Sequence, residues 1–468
     1  MTARVTSIRD RQAETQREPA TAPATAEVPL SELSGWGRYP VARGRERRSA
    51  DLAAITDGAA LSRGLGRSYG DASLPAVERD VLAGSVLADR LLHFDPATGI
   101  LRAEAGLSLR ALKQWSMPRG WFTPVTPGTQ FVTLGGMVAA DVHGKMHHVD
   151  GCFGEHVTRL LLRVADGRVV ECSDTQEPEL FRATLGGMGL TGHILEVEFR
   201  MRRIPSPWIW QETEVCPTFD ALLDAVRAAS TKWPLTVSWA DFLDFGPRMG
   251  RGLLNKGRWA EPSEAPPRLP RFREPVPVPP VFPDWFLQPW MGRLFNRFVY
   301  AAMSARPPHG IVHPESFFYP LDIVRDWNRL YGRRGFTQYQ CLLPTTDGYA
   351  AHHRLLDVLR RWRAPSFVVV IKDCGAEGKG MLSFPKPGIS YAIDMPVSAQ
   401  TQALVDALNE VVIAGGGRVY LAKDAFTRAE DFRRMEPRLE AWQRVRRQWD
   451  PHGTLRSAQS VRVFGDTP

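Results

Sequence analysis

The sequence predicts an α+β fold with more than one domain, and three observations lead to this prediction. The 468 residues, 43% of them hydrophobic, suffice for the cores of two or three domains. A pattern typical of a hairpin spans residues 160–172 and turns at Asp166 and Gly167. In the second half of the chain, strand-like segments alternate with helical ones, and no repeat recurs at a fixed period. Antiparallel hairpins together with helices favour α+β over a doubly wound parallel sheet.

The first half of the chain contains short predicted elements. Order begins near residues 30–40, where aromatic residues lie among turn residues. A strand over 99–104 precedes an amphipathic helix that starts at Ser108 and ends at Pro118 and Gly120. Later, a helical turn is predicted over 179–184 and a strand over 194–199. The glycine-rich segment 186–192 lies between them.

Beyond Pro205 the composition changes. A helix is predicted over 218–229, and a proline-rich, basic insert with interleaved aromatic residues follows at 261–289. Later strands are predicted at 336–343, 366–372 and 390–395. Helices are predicted at 349–362 and 401–414. One last helix is predicted over 427–449, ending at Asp450 and Pro451.

Charge and cysteine content restrict the classes of function. The chain has 59 basic and 51 acidic residues, a net charge of +8 and a pI of about 9.4. This excess suits an anionic substrate or an anionic membrane surface, and no nucleic-acid-binding signature accompanies it, so we expect no nucleic-acid partner. The five cysteines are scattered and form no CxxC pair, which is typical of a reducing compartment.

The termini and the hydropathy pattern bear on location. No apolar run reaches the roughly 18 residues that a membrane-spanning helix needs, and the N-terminus lacks the apolar core of a signal peptide. Residues 1–29, rich in Ala, Thr, Arg, Gln, Glu and Pro, are predicted to form a disordered tail. We therefore expect the protein to be cytoplasmic or peripheral to the membrane.

The segment LSRGLGRSYGDAS, residues 61–73, is the first candidate site. Gly64, Gly66 and Gly70 permit positive φ and close approach, and Arg63 and Arg67 add cations. Such a turn presents main-chain N–H groups that bind phosphate oxygens. The alternative is a purely structural tight turn, because the segment matches neither GxGxxG nor the GK[ST] pattern.

Histidines cluster in the segment MVAADVHGKMHHVD. His143 and His147 are four residues apart and could share a metal ion, yet the only acidic residues nearby are Asp141 and Asp150, so we expect no metal. Ordinary polar packing is the other reading of His143, Lys145, His147 and His148.

Two further positions carry polar groups where a core is expected. Gln338 and Gln340 lie two apart in a predicted strand and therefore share a face; this face is either solvated or turned into a polar cavity. Lys423 follows an apolar strand, where it is either a surface lysine or a buried functional one.

Four separated motifs occur in order over about 130 residues: RGLGRSYGD, PGTQFVTLGG, DVHGKMHH and TLGGMGLTG. Together they resemble the FAD domain of the vanillyl-alcohol-oxidase type of flavoprotein. Five later segments resemble the decaprenylphosphoryl-β-D-ribose 2′-oxidase family: FYPLD, FTQYQ, the strand ending at Lys372, FPKPG and YLAKD. The resemblance extends from Leu33 to the end of the chain and is weakest in the proline-rich insert.

This resemblance implies a two-part architecture. A PCMH-type FAD-binding domain of two subdomains would comprise residues 30–204 and be completed by 418–468. A cap, or substrate, domain built on an antiparallel sheet would comprise 205–417, and the flavin would lie at the junction.

The resemblance also implies roles for individual residues. The cofactor-binding set is Arg63, Gly64, Leu65, Gly66, Arg67, Ser68, Tyr69, Gly128, Thr129, Thr133, Gly135, Gly136, His143, Gly144, Gly187, Gly189, Gly192, Tyr420 and Lys423. The catalytic set is Lys423, His143 and Gln340. The substrate-binding set is Tyr69, Tyr319, Gln338, Gln340, Lys372 and Ala392. Lys372 is expected to pair the substrate's phosphate. Lys423 would act either as the base that takes the hydroxyl proton or as a cation that stabilises the reduced flavin.

Two positions depart from related proteins. Many flavoproteins of this type carry a histidine, bonded covalently to flavin, at the place where this sequence has Arg67, so non-covalent FAD is expected. Mycobacterial members of the 2′-oxidase family have a pocket cysteine where this sequence has Ala392, so thiol-directed covalent inhibitors should not react here.

The implied function is FAD-dependent oxidation of a secondary alcohol of a polyprenyl-phospho-pentose, the first half of an epimerisation towards an arabinose donor. A short-chain keto-reductase would be the partner that consumes the product, and the insert at 261–289 would either contact the membrane or form a disordered loop over the cap. The alternatives are a soluble alditol or sugar-lactone oxidase and, in another class, a flavin-binding or membrane-surface adaptor without turnover.

Overall fold

The structure is a computed structural model that describes residues 28–272, 274–279, 288–305 and 307–468. The predicted disordered tail lies outside the described residues except for its last two, and so do nine residues of the proline-rich insert, 273 and 280–287. In the described part, helices and mostly antiparallel sheets confirm the α+β prediction.

The N-terminal region, up to residue 203, contains eleven strands and five α-helices among its described residues. The strands are β1 (Leu30–Ser34), β2 (Val41–Arg48), β3 (Leu61–Arg63), β4 (Val81–Gly84), β5 (Leu91–Phe94), β6 (Ile100–Glu104), β7 (Trp121–Phe122), β8 (Val157–Arg163), β9 (Val169–Cys172), β10 (His193–Arg200) and β11 (Arg202–Arg203). The helices are α1 (Leu52–Ile55), α2 (Leu109–Ser116), α3 (Leu134–Ala139), α4 (His147–Asp150) and α5 (Pro178–Thr184).

Two sheets organise this region. The first has the order β1-β2-β4-β3, with β4 parallel to both of its neighbours, and its edge strand β3 leads directly into the glycine segment. The second is antiparallel with the order β5-β6-β10-β8-β9, and β8 and β9 form the predicted hairpin. Ser108 caps α2 as predicted, because its hydroxyl accepts from the Ala111 N–H.

The described residues of the central region, 209–414, form nine strands and five α-helices. The strands are β12 (Ile209–Cys216), β13 (Leu235–Ala240), β14 (Gly252–Trp259), β15 (Val276–Pro277), β16 (His309–Val312), β17 (Val324–Arg325), β18 (Phe336–Leu343), β19 (Val369–Cys374) and β20 (Gly388–Pro396). The helices are α6 (Phe219–Ser230), α7 (Pro289–Ser304), α8 (Pro314–Phe318), α9 (Ala350–Arg361) and α10 (Thr401–Ala414). The strand predicted at 366–372 begins later than expected, at Val369.

The main sheet of the central region is antiparallel and has eight strands. Its order is β16-β12-β14-β13-β19-β20-β18-β21, where β21 is Arg418–Val419. Helices α6 and α10 pack against one face, and the Tyr339 hydroxyl of β18 donates to Asn409 of α10 at 2.9 Å. Because strand side chains alternate, Gln338 and Gln340 lie on the opposite face, towards the N-terminal region.

The C-terminal region has two short helices where the sequence predicted one long helix. The single helix predicted over 427–449 is wrong: the structure has α11 (Ala429–Met435) and α12 (Leu439–Trp449), separated at Pro437. Proline lacks an N–H and its ring clashes with the preceding turn, so the helix stops and restarts there.

An arginine near the C-terminus connects three distant segments. The Arg462 guanidinium donates to both oxygens of Asp71, at 2.9 and 2.7 Å, and to Asp424 at 2.8 Å. These two carboxylates raise the pKa of Arg462 although its burial opposes this. The glycine segment and the turn that carries Lys423 are thereby held together.

Candidate active site

A cavity of about 720 Å³ lies where the N-terminal region meets the eight-stranded sheet. The glycine segment and α3 form one side, and the inward faces of β13, β14, β18 and β19 form the other. Its volume is within the range of sites for cofactors and drug-sized ligands. One continuous space is therefore available to a cofactor and a substrate together.

The glycine segment packs against the N-terminus of α3. Thr133 caps this helix, because its hydroxyl accepts from the Gly136 N–H at 3.2 Å. A Cβ at Gly64 would lie 2.4 Å from the Thr133 hydroxyl oxygen, so only glycine allows this close approach. Gly66 has φ +63°, the left-handed region that favours glycine. The two segments form one main-chain wall.

The segment PGTQFVTLGG, residues 127–136, is fixed by a carboxylate from the central region. Asp322 accepts from the Thr129 hydroxyl at 2.8 Å and from the Gln130 N–H at 2.7 Å. Burial raises the pKa of Asp322, whereas these two bonds and the charge of Arg67 lower it. Arg67 itself lies with its guanidinium carbon 3.8 Å from the centre of the Trp36 ring.

The residues present fit FAD on two observations. The cavity wall beside these segments consists of main chain and small side chains, including Gly64, Gly135, Gly136 and Gly189. At Gly128, which is exposed on this wall, an added Cβ would meet no atom within 4 Å. A dinucleotide that binds through main-chain N–H groups needs a wall of this kind.

His143 and Gln340 meet across the junction. The Gln340 amide nitrogen lies 3.0 Å from His143 Nε2 and 3.2 Å from the Ser390 hydroxyl. Burial, together with the charge of Lys372, lowers the pKa of His143 well below its usual value. The ring is therefore neutral and accepts the Gln340 hydrogen bond at Nε2.

Lys423 lies in a turn directly against the glycine segment. Its ammonium is 3.7 Å from the centre of the Tyr69 ring, and the Tyr69 N–H donates to the Ala422 carbonyl at 2.9 Å. Burial lowers the pKa of Lys423, the charge of Asp394 raises it, and Lys372 lowers it further. Burial and two charged groups, Asp394 and Lys372, thus control the protonation of this lysine.

Asp394 is a buried acid that sequence reasoning missed. It lies opposite Gln338 in the β18–β20 register, and its Oδ1 accepts from the Gln338 amide at 2.5 Å. Its Oδ2 has no partner among the described residues. Burial raises the pKa of Asp394, and the charge of Lys423 lowers it. The available signal was a lone acid in the apolar strand GISYAIDMP.

The cavity lining includes most of the predicted residues. It brings together those of the glycine segments with Gln338, Gln340, Lys372, Ala392, Tyr420 and Lys423. Ala392 lies opposite Gln340 in the β18–β20 register, and Lys372 lies opposite Ser390 in the next strand pair.

Three predicted residues do not line the cavity. Arg63 turns away and donates to the Ser34 and Ser73 carbonyls at 2.7 and 2.9 Å. Gly187 packs behind the wall, where an added Cβ would lie 2.2 Å from the Ala183 carbonyl oxygen. Tyr319 is buried, and its hydroxyl lies 2.5 Å from the Thr126 hydroxyl. Their contacts lie within the protein, behind the residues that line the cavity.

Other ligand chemistry has less support in the described part of the chain. No group of three or more His, Cys, Asp or Glu residues there is placed to hold a metal ion. The five cysteines are free and buried, so none forms a disulfide. No helix in the described ranges is long and apolar enough to cross a membrane.

Comparison with known proteins agrees with this geometry. Residues 49–173 match the family described as FAD binding domain. The chain is 32% identical to the decaprenylphosphoryl-β-D-ribose oxidase of Mycolicibacterium smegmatis, over 94% of this chain and 99% of that protein. The chain belongs to the decaprenylphosphoryl-β-D-ribose oxidase family. Members of this family are FAD-dependent oxidoreductases, and the PCMH-type fold and the FAD cofactor predicted from the sequence are confirmed.

Two further relatives are similar to smaller parts of this chain. An uncharacterized protein from the mprA 5′ region of Streptomyces coelicolor is 30% identical over 76% of this chain and all of that protein. A Neurospora crassa protein provisionally named D-arabinono-1,4-lactone oxidase is 25% identical over 44% of this chain and 34% of that protein.

Proposed function

We propose that this protein oxidises a secondary alcohol of a polyprenyl-phospho-pentose, with FAD as electron acceptor. The observation that carries the substrate class is the combination of cavity lysines with a long apolar wall in the central region. That wall includes Val237, Trp239, Leu253, Val299, Met303 and Phe367. An apolar wall suits a hydrocarbon chain, whereas a free sugar would leave it without a partner.

Lys423 is proposed to take the proton of the substrate hydroxyl. Burial lowers the pKa of this lysine, so that a larger fraction of its amine is unprotonated near neutral pH and free to take a proton. When bound, FAD supplies the acceptor for the hydride that leaves the same carbon. Gln340 is held by His143 and Ser390 and would orient the sugar by hydrogen bonds.

Asp394 is proposed to act through Lys423 as a positioning residue. Its carboxylate stabilises the protonated amine, and Gln338 fixes one carboxylate oxygen. Gln338 also hydrogen-bonds the Tyr69 hydroxyl, which places these groups in one network. The carboxylate therefore provides a counter-charge when the lysine receives the substrate proton.

Asp394→Asn is expected to shift the acidic limb of the pH–rate profile to lower pH. The amide oxygen can still accept from Gln338, but the negative charge that raises the Lys423 pKa is gone. A base with a lower pKa stays deprotonated to lower pH, by about one pH unit for the loss of one close charge. The measurement is the rate of flavin reduction between pH 5 and 9, in the range where enzyme bases titrate.

Asp357→Asn is the matched control, because Asp357 is exposed and pairs with Arg360 on α9. An unchanged acidic limb in Asp394→Asn, or a shift to higher pH, would exclude the proposed coupling.

FAD is proposed to bind without a covalent bond. The place of the flavin-bonded histidine is taken by Arg67, whose Nε donates to the Phe131 carbonyl at 3.2 Å. A guanidinium is not a nucleophile for this linkage. Acid precipitation of the purified protein should release all of the yellow colour into the supernatant; colour that stays in the protein pellet would contradict the proposal.

The exposed face of α7 is proposed to contact the membrane that holds the lipid substrate. Trp290 and Phe298 are 60% and 69% exposed, Leu294 is exposed beside them, and Arg297 adds a cation. Other residues of the same helix line the cavity, so a lipid tail could pass directly from the bilayer to the apolar wall. The ketone product would then require a hydride-donating reductase, for which a short-chain keto-reductase is proposed.

Anaerobic titration tests the proposed function. Addition of a polyprenyl-phosphoribose should bleach the flavin absorbance, whereas arabinitol and sugar lactones should not. Bleaching by the soluble compounds alone would favour the alditol or sugar-lactone oxidase, an alternative supported by the Neurospora crassa relative. Binding of the lipid without bleaching would favour a flavin protein without turnover.

A further inference from the structure

Two lysines lie on the cavity wall without the carboxylate partners that buried lysines usually have. Lys145 is 9% exposed and follows the His143-Gly144 pair, and Lys372 lies in β19. Lys145 donates to the Phe317 carbonyl. In the described ranges, no hydrogen bond or salt bridge satisfies the Lys372 ammonium.

The two ammonium groups repel each other. Burial lowers the pKa of Lys145 to about 7, and the charge of Lys372 contributes to this shift. Lys372 also lowers the pKa of His143, His147 and Lys423, so it is the charge common to a cluster of basic groups. In the part of the chain that the structure describes, no carboxylate is among the groups that shift the pKa of Lys145 or Lys372.

This arrangement is unfavourable in the free protein. Two like charges in a site of low dielectric require either neutralisation or a counter-charge. Lys423 has Asp394 for this purpose, but Lys145 and Lys372 have no equivalent acid. A bound anion would supply this counter-charge and keep both lysines protonated. A metal ion is the wrong ligand for the HGKMHH segment, because the two ammonium groups would repel it.

We propose that Lys145 and Lys372 form a phosphate subsite that holds the phosphodiester of the substrate beside the reacting sugar. This inference rests on the proposed function, because that function supplies a lipid-linked phosphate. It extends to Lys145 the phosphate contact that the family resemblance implies for Lys372; the sequence alone indicated only polar packing for Lys145. Lysine ammonium groups bind phosphate oxygens as point charges.

The position of the subsite agrees with the order of groups in the substrate. Lys372 interacts electrostatically both with Lys423, the proposed base, and with Lys145, and all three line the same cavity. Lys145 lies 5.0 Å from the centre of the Phe317 ring, where the apolar wall begins. The sugar, the phosphate and the lipid chain would thus contact Lys423, the lysine pair and the apolar wall in turn.

Ligand binding by the FAD-loaded protein tests this assignment. The probes are farnesyl phosphate, which has the lipid and the phosphate but no sugar, and inorganic phosphate. Calorimetry should show that Lys372→Met weakens farnesyl phosphate binding at least 10-fold, and that Lys145→Met does the same. Lys232→Met is the matched control, because Lys232 is exposed outside the cavity, and it should bind like the unsubstituted protein.

Thermal unfolding supplies a second measurement that does not depend on turnover. Without ligand, Lys372→Met should unfold at a higher temperature than the unsubstituted protein, because one unpaired, half-buried charge is removed. With farnesyl phosphate the order should reverse, because a ligand that binds only the native state stabilises it. A variant that unfolds earlier in both conditions would overturn the inference, since the lysine would then support the fold itself.

The remaining outcomes separate this inference from the proposed function. Equal affinity of the unsubstituted protein and both variants for farnesyl phosphate overturns the subsite, even if polyprenyl-phosphoribose bleaches the flavin. Lysine-dependent binding without any bleaching by polyprenyl-phosphoribose keeps the subsite and overturns the proposed reaction. Inorganic phosphate that binds as tightly as farnesyl phosphate overturns the lipid-linked source of the phosphate.

Discussion

Lys423→Met is expected to reduce the rate of flavin reduction about 10³-fold, within the range for the loss of a general base, while FAD stays bound. Methionine has a similar length and no charge, so it can occupy the space against the Tyr69 ring. Asp394 then loses its cation, but burial already raises the pKa of this carboxyl and allows it to take a proton. Stopped-flow measurement of flavin bleaching under anaerobic conditions gives the rate.

A second substitution at the same position separates the two roles of Lys423. Arginine keeps the positive charge but cannot give up its proton at any ordinary pH. If Lys423 acts as the base, Lys423→Arg is as slow as Lys423→Met. Recovery of the rate in Lys423→Arg would instead identify the residue as an electrostatic stabiliser. Lys232→Met should retain the full rate, and a rate in Lys423→Met within 10-fold of it would remove the lysine from the mechanism.

Gly128→Val is expected to weaken FAD binding by at least two orders of magnitude without unfolding the protein. The new side chain meets no atom within 4 Å, so it causes no clash within the protein. It would occupy the space from which the cofactor approaches the main chain, and a displacement of about 1 Å is enough to lose such contacts. The measurements are bound flavin per protein and far-ultraviolet circular dichroism.

Gly310→Val is the matched control for this substitution. Gly310 lies in β16 at the edge of the eight-stranded sheet, where an added Cβ also meets no atom within 4 Å. It is outside the cavity lining, and valine suits a strand. Gly310→Val should therefore retain FAD. Normal flavin content in Gly128→Val would show that the cofactor does not approach this segment.

Local patterns allowed much of the site to be predicted from the sequence. The glycines at 64 and 66 are informative because close approach at the first and a positive φ at the second restrict the residue type. Gln338 and Gln340 were placed on one face by the two-residue period of a strand, and the structure puts both on the cavity side. These inferences depend only on neighbours along the chain.

The residues that were missed depend on the packing of distant segments. Asp394 faces Gln338 because of the β18–β20 register, which the sequence of one strand does not specify. Tyr319 was placed in the cavity, but the turn after α8 directs its hydroxyl to Thr126 instead. The break at Pro437 is a different case, because proline in a helical pattern was a local signal that could have been used.

The contact between Arg462 and Asp71 has a consequence for synthesis of the protein. These residues are 391 positions apart, and the turn with Lys423 depends on the same guanidinium. A nascent chain grows by about 5–20 residues per second, so tens of seconds pass between emergence of the glycine segment and of its C-terminal partner. The glycine segment and the Lys423 turn therefore cannot be joined through this guanidinium until translation has passed residue 462.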